Sequence, residues 1–161
     1  INDIVRSPKR MDIVLNCLKL FSVNNRKILV LSERKTHINE MYKRANSLGF
    51  DCGLYCGGLS ESTLKESESK QIIIGTYHMI SEGFDLSSLD TLILASPKTD
   101  IIQASGRILR KGRDRPTIPI IVDIEDQIDY FRKKCKTRTS YYKKNKFNIF
   151  QIQNESYIKL D

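Results

Sequence analysis

Five short runs of β-branched and aliphatic residues punctuate the chain: KILVLS (27–32), CGLYC (52–56), QIIIGT (71–76), TLILAS (91–96) and IPIIVDI (118–124). They are apolar at consecutive rather than alternate positions. That pattern predicts strands covered on both faces, as in a parallel sheet. Around and between them lie helical patterns: RMDIVLNCLKLF (10–21), THINEMYKRANSLGF (36–50), a more polar stretch around 60–68, and TDIIQASGRILR (99–110). Strand and helix therefore alternate. The expected architecture is α/β, a doubly wound, mostly parallel sheet joined by right-handed crossovers.

Local signals agree with this reading. Thr36 is expected to cap its helix, with Ile38, Met41, Ala45 and Leu48 as the inward stripe and Gly49 as the stop. Pro97 breaks the chain after the fourth run, Thr99 is the expected N-cap of the next helix, and Gly112 its stop. After Asp126 a last helix is predicted from Ile128 to about Tyr142, followed by KFNIFQI (146–152) as an edge strand. With no repeat and no long linker, residues 1–161 are expected to form a single domain. It would have a leading helix (1–22) and a basic C-terminal helix plus strand (127–161).

The composition, 161 residues with 40% hydrophobic content, suits one domain with a real core. Lys and Arg number 27 against 19 Asp and Glu, a formal net charge of +8, so a polyanion is the first partner to consider beside the plainer reading of a solvated surface. The charge is uneven. From Tyr130 to Asn154 there is no acidic residue, while Lys133, Lys134, Lys143 and Lys144 crowd together with Arg132, Lys136, Arg138 and Lys146. That block is a candidate surface for a nucleic-acid backbone. The four cysteines lack C-x-x-C spacing and only two histidines accompany them, so a structural zinc is not expected. No leader or long apolar run appears, which predicts an intracellular protein with reduced thiols. The chain opens on Ile1 without a methionine, the expectation for a piece of a longer polypeptide.

The helix over 99–110 carries the most pointed chemistry. Gly106 costs roughly 1 kcal/mol relative to alanine in a helix interior. Gln103, Arg107 and Arg110 fall within an arc of about 60°, bordered by Gly106, while Ile101, Ala104, Ile108 and Leu109 lie on the other side. One edge thus offers an amide and two guanidinium groups beside bare backbone. Guanidinium forks suit phosphate because they hold charge permanently and bind two oxygens at once. An ordinary amphipathic helix with a polar solvent face has the same spacing. Upstream, EGFDL brings Gly83 and Asp85 into a loop after a buried strand ending at Gly75-Thr76. There Gly83 would let backbone approach a ligand and Asp85 would accept from ribose hydroxyls, unless the pair simply makes and caps a turn.

GTYHMISEGFDL followed by QASGRILR resembles motifs V and VI of superfamily 2 helicases, in the right order and separated by one strand. Motif IV would fall on ILVLSERKTH. The resemblance covers residues 25 to 125, and the wording of motifs V and VI is similar to that of phage UvsW-like helicases and helicases of large cytoplasmic DNA viruses such as African swine fever virus. It implies the RecA-like fold of a helicase C-terminal domain. It implies further that Arg107 and Arg110 reach the β/γ-phosphates of ATP held by a neighbouring domain, with Gln103 by the attacking water or coupled to that domain's acidic motif. Gly106 would border that nucleotide, and Gly83 and Asp85 would lie near its ribose. Ser32, Gly57, Gly58 and Thr76 would touch nucleic-acid phosphates, contacts that position a strand without reading its sequence. The implied partners are nucleic acid, DNA ahead of RNA, and an N-terminal RecA-like domain of the same protein, with no membrane; a viral source would place it in the host cytoplasm. Cys56-Gly57-Gly58 departs from the H-G pair of many relatives, and no arginine follows in LSESTLKESESK.

No G-x-x-x-x-G-K-[ST] and no D-E-x-[DH] occurs in the chain. The phosphate cradle and the carboxylates for Mg2+ are thus expected in the other domain, which would hold both ATP and the ion. This chain alone is expected to be inactive as an ATPase. The rival expectation is a RecA-like module that binds nucleic acid or protein without ATP chemistry. A doubly wound small-molecule transferase fits less well, since the first strand-to-helix loop is not Gly-rich.

Overall fold

The computed structural model describes residues 2–81, 84, 86–109, 117–153 and 156–160, with Arg107, Leu109, Gln153 and 156–160 described by backbone alone. Two compact units result, residues 1–124 and 125–161.

The first unit begins with α1 (Asn2–Val5) and α2 (Pro8–Phe21), then alternates β1 (Ile28–Ser32), α3 (Lys35–Ser47), β2 (Cys52–Tyr55), α4 (Glu61–Ser69), β3 (Ile72–Thr76), α5 (Tyr77–Ser81), β4 (Thr91–Leu94), α6 (Ile102–Leu109) and β5 (Ile120–Asp123). All five strands are parallel, in the order β2-β3-β1-β4-β5. β1, β3 and β4 are buried at every position, which accounts for their unbroken apolar runs. On one face Ile28, Val30, Ile72, Ile74 and Ile93 join Val14 and Leu18 of α2 and Ile38, Met41 and Ala45 of α3 in a single core. Leu29, Leu31, Ile73, Leu92 and Leu94 alternate with these and are equally buried.

The connection from β1 to β2 runs across the sheet one way, and those from β2 through to β5 run the other. With right-handed crossovers, α3 therefore covers one face and α4, α5 and α6 the opposite one. α4 approaches β2 closely at Gly53, where a Cβ would lie only 2.5 Å from Ser67 Cα. Ser67 Oγ donates to the Leu54 carbonyl there at 2.8 Å.

Helix ends show where local signals fail. Gly49, at φ +82°, closes α3 as expected, with Phe50 N–H bonded back to the Ala45 carbonyl at 3.1 Å. Thr36, however, is not the cap: α3 starts at Lys35 after an extended Arg34, with no side-chain cap. At α6 the cap is Asp100 rather than Thr99, its Oδ1 accepting from Ile102 N–H at 3.0 Å. Gly112 lies outside the described residues.

The second unit consists of α7 (Asp129–Lys144), β6 (Ile149–Gln153) and β7 (Ser156–Leu160). KFNIFQI, expected as an edge strand, contains most of β6, which pairs antiparallel with β7 in a two-stranded sheet. Tyr141, Tyr142 and Phe147 pack together at the end of α7, with centroids 5.5 to 6.2 Å apart. No helix of the described residues is long and apolar enough to cross a membrane.

Candidate nucleotide and nucleic-acid site

In an open parallel sheet, ligands bind beyond the carboxyl ends of strands where neighbouring connections leave to opposite faces. Here β1 leads to α3 on one face, while its neighbours β3 and β4 lead to helices on the other. The loops following these three strands are tied together by side chains. Glu33 N–H donates to Ser96 Oγ at 2.8 Å, Tyr77 OH to the Ser96 carbonyl at 2.9 Å, and Lys98 Nζ to Glu33 Oε2 at 3.2 Å. The Lys98 ammonium also stands 5.3 Å from the centre of the Tyr77 ring. Beside this network opens a cavity of about 460 Å³ lined by Glu33, Thr76, Tyr77, Lys98, Asp100 and Gln103, among others.

α6 sits on its edge. Ile101, Ala104 and Ile108, three of the four residues expected on the inward side, are buried, and Gln103 and Gly106 are exposed; the side chain of Leu109 lies outside the described residues. A Cβ on Gly106 would meet nothing within 4 Å, so no neighbour among the described residues requires a glycine there. Arg107 belongs to the helix backbone one turn beyond Gln103. Arg110, Gly83 and Asp85 lie outside the described residues.

The expected phosphate contacts divide. Thr76 is buried at the end of β3 but lines the cavity. Gly57 and Gly58 form an accessible turn after β2, Gly58 at φ +94°. Ser32 is different: it is fully buried, its hydroxyl shares a 2.9 Å hydrogen bond with His37 Nδ1, and it accepts from Arg34 N–H at 3.4 Å. Its side chain supports the loop from beneath and is not presented to a strand.

His37 is itself 3% exposed, and its Nε2 has no hydrogen-bond partner among the described residues. Burial, then the charge of Arg10, holds its pKa down at about 4. Because the folded value lies below the ordinary one of about 6.5, neutral His37 contributes stability that is complete above pH 6.5. It is lost as the pH falls towards 4. Urea midpoints are expected to decline across that window, and His37→Gln to flatten the decline; an equally steep decline in the variant would exclude His37 as its source.

On α7, Arg132, Lys133, Lys136, Lys143 and Lys144 are exposed and fall within an arc of about 120°. Two members of the predicted basic surface do not belong to it. Arg138 is only 2% exposed, and Lys134 is half-buried with its ammonium 5.0 Å from the Tyr130 ring centre and 5.7 Å from that of Phe131. Residues with no local signal also enter the site: Lys35, Tyr77, Ser96 and Lys98 are joined to partners between 19 and 65 residues away.

A parallel sheet in this order, with a Q-x-x-G-R helix at its carboxyl edge, is that of the RecA-like C-terminal domain of superfamily 2 helicases. Among solved structures, T4 UvsW matches with a TM-score of 0.69 at 20% identity, over 91% of this chain and 34% of that one. The C-terminal domain of the DEAD-box protein Dbp5 matches with 0.68 at 14% identity, over 86% and 79%.

The chain belongs to the helicase conserved C-terminal domain family, whose model matches residues 9–112. It is 45% identical over 127 residues to "Putative ATP-dependent RNA helicase L396" of Acanthamoeba polyphaga mimivirus, covering 76% of this chain and 24% of the relative. It is 28% identical over 173 residues to "Putative ATP-dependent RNA helicase QP509L" of African swine fever virus (strain Badajoz 1971 Vero-adapted), covering 94% and 34%. The chain thus spans about a quarter to a third of these relatives' lengths. Both names specify RNA, which gives the expected precedence of DNA no support.

Proposed function

We propose that this chain is the C-terminal half of an ATP-dependent nucleic-acid helicase or translocase, supplying arginine fingers and part of the grip on the strand. The observation that carries the reading is a juxtaposition: Gln103 of the motif VI helix and Thr76 of motif V line one cavity at the topological switch point. Family membership and the relatives' printed names support it. In this reading ATP lies between the carboxyl edge of this sheet and a second RecA-like domain. Arg107 and Arg110 approach its β/γ-phosphates, Gln103 orients water or meets the other domain, and Gly106 leaves room for the nucleotide. Gly83 and Asp85 serve the ribose.

The carboxylates at the cavity do not suit Mg2+. Glu33 is paired with Lys98, and Asp100 caps α6. The ion is accordingly assigned, with the P-loop, to the other domain. A triphosphate contacted from both sides favours the closed arrangement, and departure of the γ-phosphate removes the interactions that distinguish closed from open. If both domains also hold the backbone, each cycle moves one grip relative to the other. Viral relatives accord with action in the host cytoplasm.

The test is nucleic-acid-stimulated ATPase after joining this chain to a P-loop domain of its own protein, with DNA and RNA compared. Strand binding without stimulated hydrolysis would replace the motor with a plain binding module. The exposed face of α7 is assigned to backbone contact by charge. Neutralising Lys133, Lys136, Lys143 and Lys144 together is expected to lower the salt slope of duplex DNA binding by roughly 0.9 for each phosphate that the protein ceases to neutralise. An unchanged slope would return these residues to solubility.

A further inference from the structure

The second unit, residues 125–161, lies beyond the stretch that the family model matches, 9–112. Burial alternates along its β6: Ile149 and Gln151 are half-buried, whereas Phe150 and Ile152 are 55% and 50% exposed. Successive side chains of a strand point to opposite faces, so Phe150 and Ile152 share the open one. Across the ladder Phe150 is paired with Lys159 and Ile152 with Tyr157, and directly opposed positions belong to the same face. One face of this two-stranded sheet thus presents a phenyl ring and an isoleucine side by side.

The turn into β6 is unusual in its own way. α7 ends in a Schellman arrangement, with Phe147 N–H bonded to the Tyr142 carbonyl at 3.0 Å and Lys146 N–H to that of Lys143 at 3.0 Å. The residue that closes such a motif is left-handed and usually glycine, but here it is Lys146, at φ +59°. Asn145, of a type that takes this conformation more readily, stands one position earlier. Backbone strain kept at a cation points to a use for that cation. Lys144 and Lys146 are both exposed. At most about 14 Å of extended chain separates Lys146 from Phe150.

We infer that this end of the second unit holds a nucleic-acid strand whose bases are unpaired: Phe150 stacks on a base, while Lys144 and Lys146 neutralise the phosphates beside it. The inference rests on the proposed nucleic-acid reading and adds to the charged face of α7 a base-contacting residue and a preference for single strands. Charge decides against the apolar face of a protein as the occupant. No carboxylate side chain occurs from Tyr130 to Asn154, and an aromatic ring among cations complements a chain that alternates flat bases with anions. Stacking tolerates every base, since each has a π-face, so DNA and RNA both qualify. A duplex does not, because its bases are already stacked on one another.

The experiment is a fluorescence-anisotropy titration of labelled single strands, as DNA and as RNA, and of the matching duplexes with this chain over a series of salt concentrations. Phe150→Leu, which keeps an apolar side chain and removes the ring, is expected to bind single strands about tenfold more weakly, within the range for loss of one base stack. Its salt slope and its duplex affinity should not change. Phe150→Tyr should bind as the wild type does. Lys146→Gly should lower the single-strand slope by roughly 0.7, one phosphate. Its thermal midpoint should be no lower than that of the wild type, because glycine takes the left-handed conformation without strain.

Wild-type affinity for single strands in Phe150→Leu, or an equal loss on single strand and duplex, would overturn the stacking contact while leaving the backbone reading of α7 standing. An unchanged slope in Lys146→Gly would remove that lysine from the contact. Failure of the wild-type chain to bind any oligonucleotide would overturn both readings. A wild-type dimer in sedimentation that Phe150→Leu dissolves without loss of single-strand affinity would give the face to a second copy of the chain instead.

Discussion

On the proposed reading, alanine at Arg107 or Arg110 is expected to reduce nucleic-acid-stimulated ATP hydrolysis by about 10³-fold or more once this chain is joined to a P-loop domain, the range of an arginine finger. Such a loss corresponds to about 4 kcal/mol of barrier. The expectation follows from α6, whose backbone includes Arg107. Ile101, Ala104 and Ile108 are locked into the fold, which fixes the rotation of α6 and leaves Gln103 facing the cavity. Arg107 follows Gln103 by one turn. Since the other domain would hold the triphosphate, the loss should fall on kcat more than on KM for ATP. Lysine should restore only a small part, because a point charge lacks the planar fork. Variants within twofold of the wild-type rate would show that these positions are not fingers.

The largest stability effect is expected at the opposite edge of the sheet. Asp90, just before β4, is 6% exposed. Its Oδ1 accepts from Thr91 Oγ1 at 2.9 Å and faces Arg26 NH1 at 3.7 Å, while its Oδ2 accepts from Thr117 Oγ1 at 2.6 Å. Arg26 NH1 also donates to Thr91 Oγ1 and to the Ile118 carbonyl. The side chains of the pair are only 15% and 8% exposed, so removing one partner strands a largely desolvated charge. Asp90→Ala is therefore expected to cost about 3 kcal/mol or more. Asp90→Asn, which retains an acceptor for a threonine hydroxyl, should cost less. Urea unfolding measures both. A cost below about 1 kcal/mol for the alanine variant would mean that water compensates Arg26.

Much of the fold was legible along the chain because its strands are buried on both faces. The run QIIIGT could hardly be anything else, and it is β3. The inward stripe of α6 was equally readable, since helical spacing alone separates Ile101, Ala104 and Ile108 from Gln103. Local rules failed where a distant residue intervened. The loop after β1 is fixed by Ser96, and α3 starts at Lys35 rather than after a Thr36 cap. KFNIFQI was recognisable as a strand, but its partner was not, because strand propensity does not say which other strand completes the ladder.

By itself, then, the sequence determined the strand and helix periodicity, the parallel character of the sheet and the motif VI helix with its two faces. All of these depend on spacings of a few residues. Tertiary structure alone decided that Ser32 is sealed beneath the loop, that Lys134 and Arg138 leave the basic face, and that Lys35 closes on Gly57. Burial and hydrogen bonding between residues far apart in the chain are settled only when the sheet brings their loops to one edge, and no local pattern encodes that meeting.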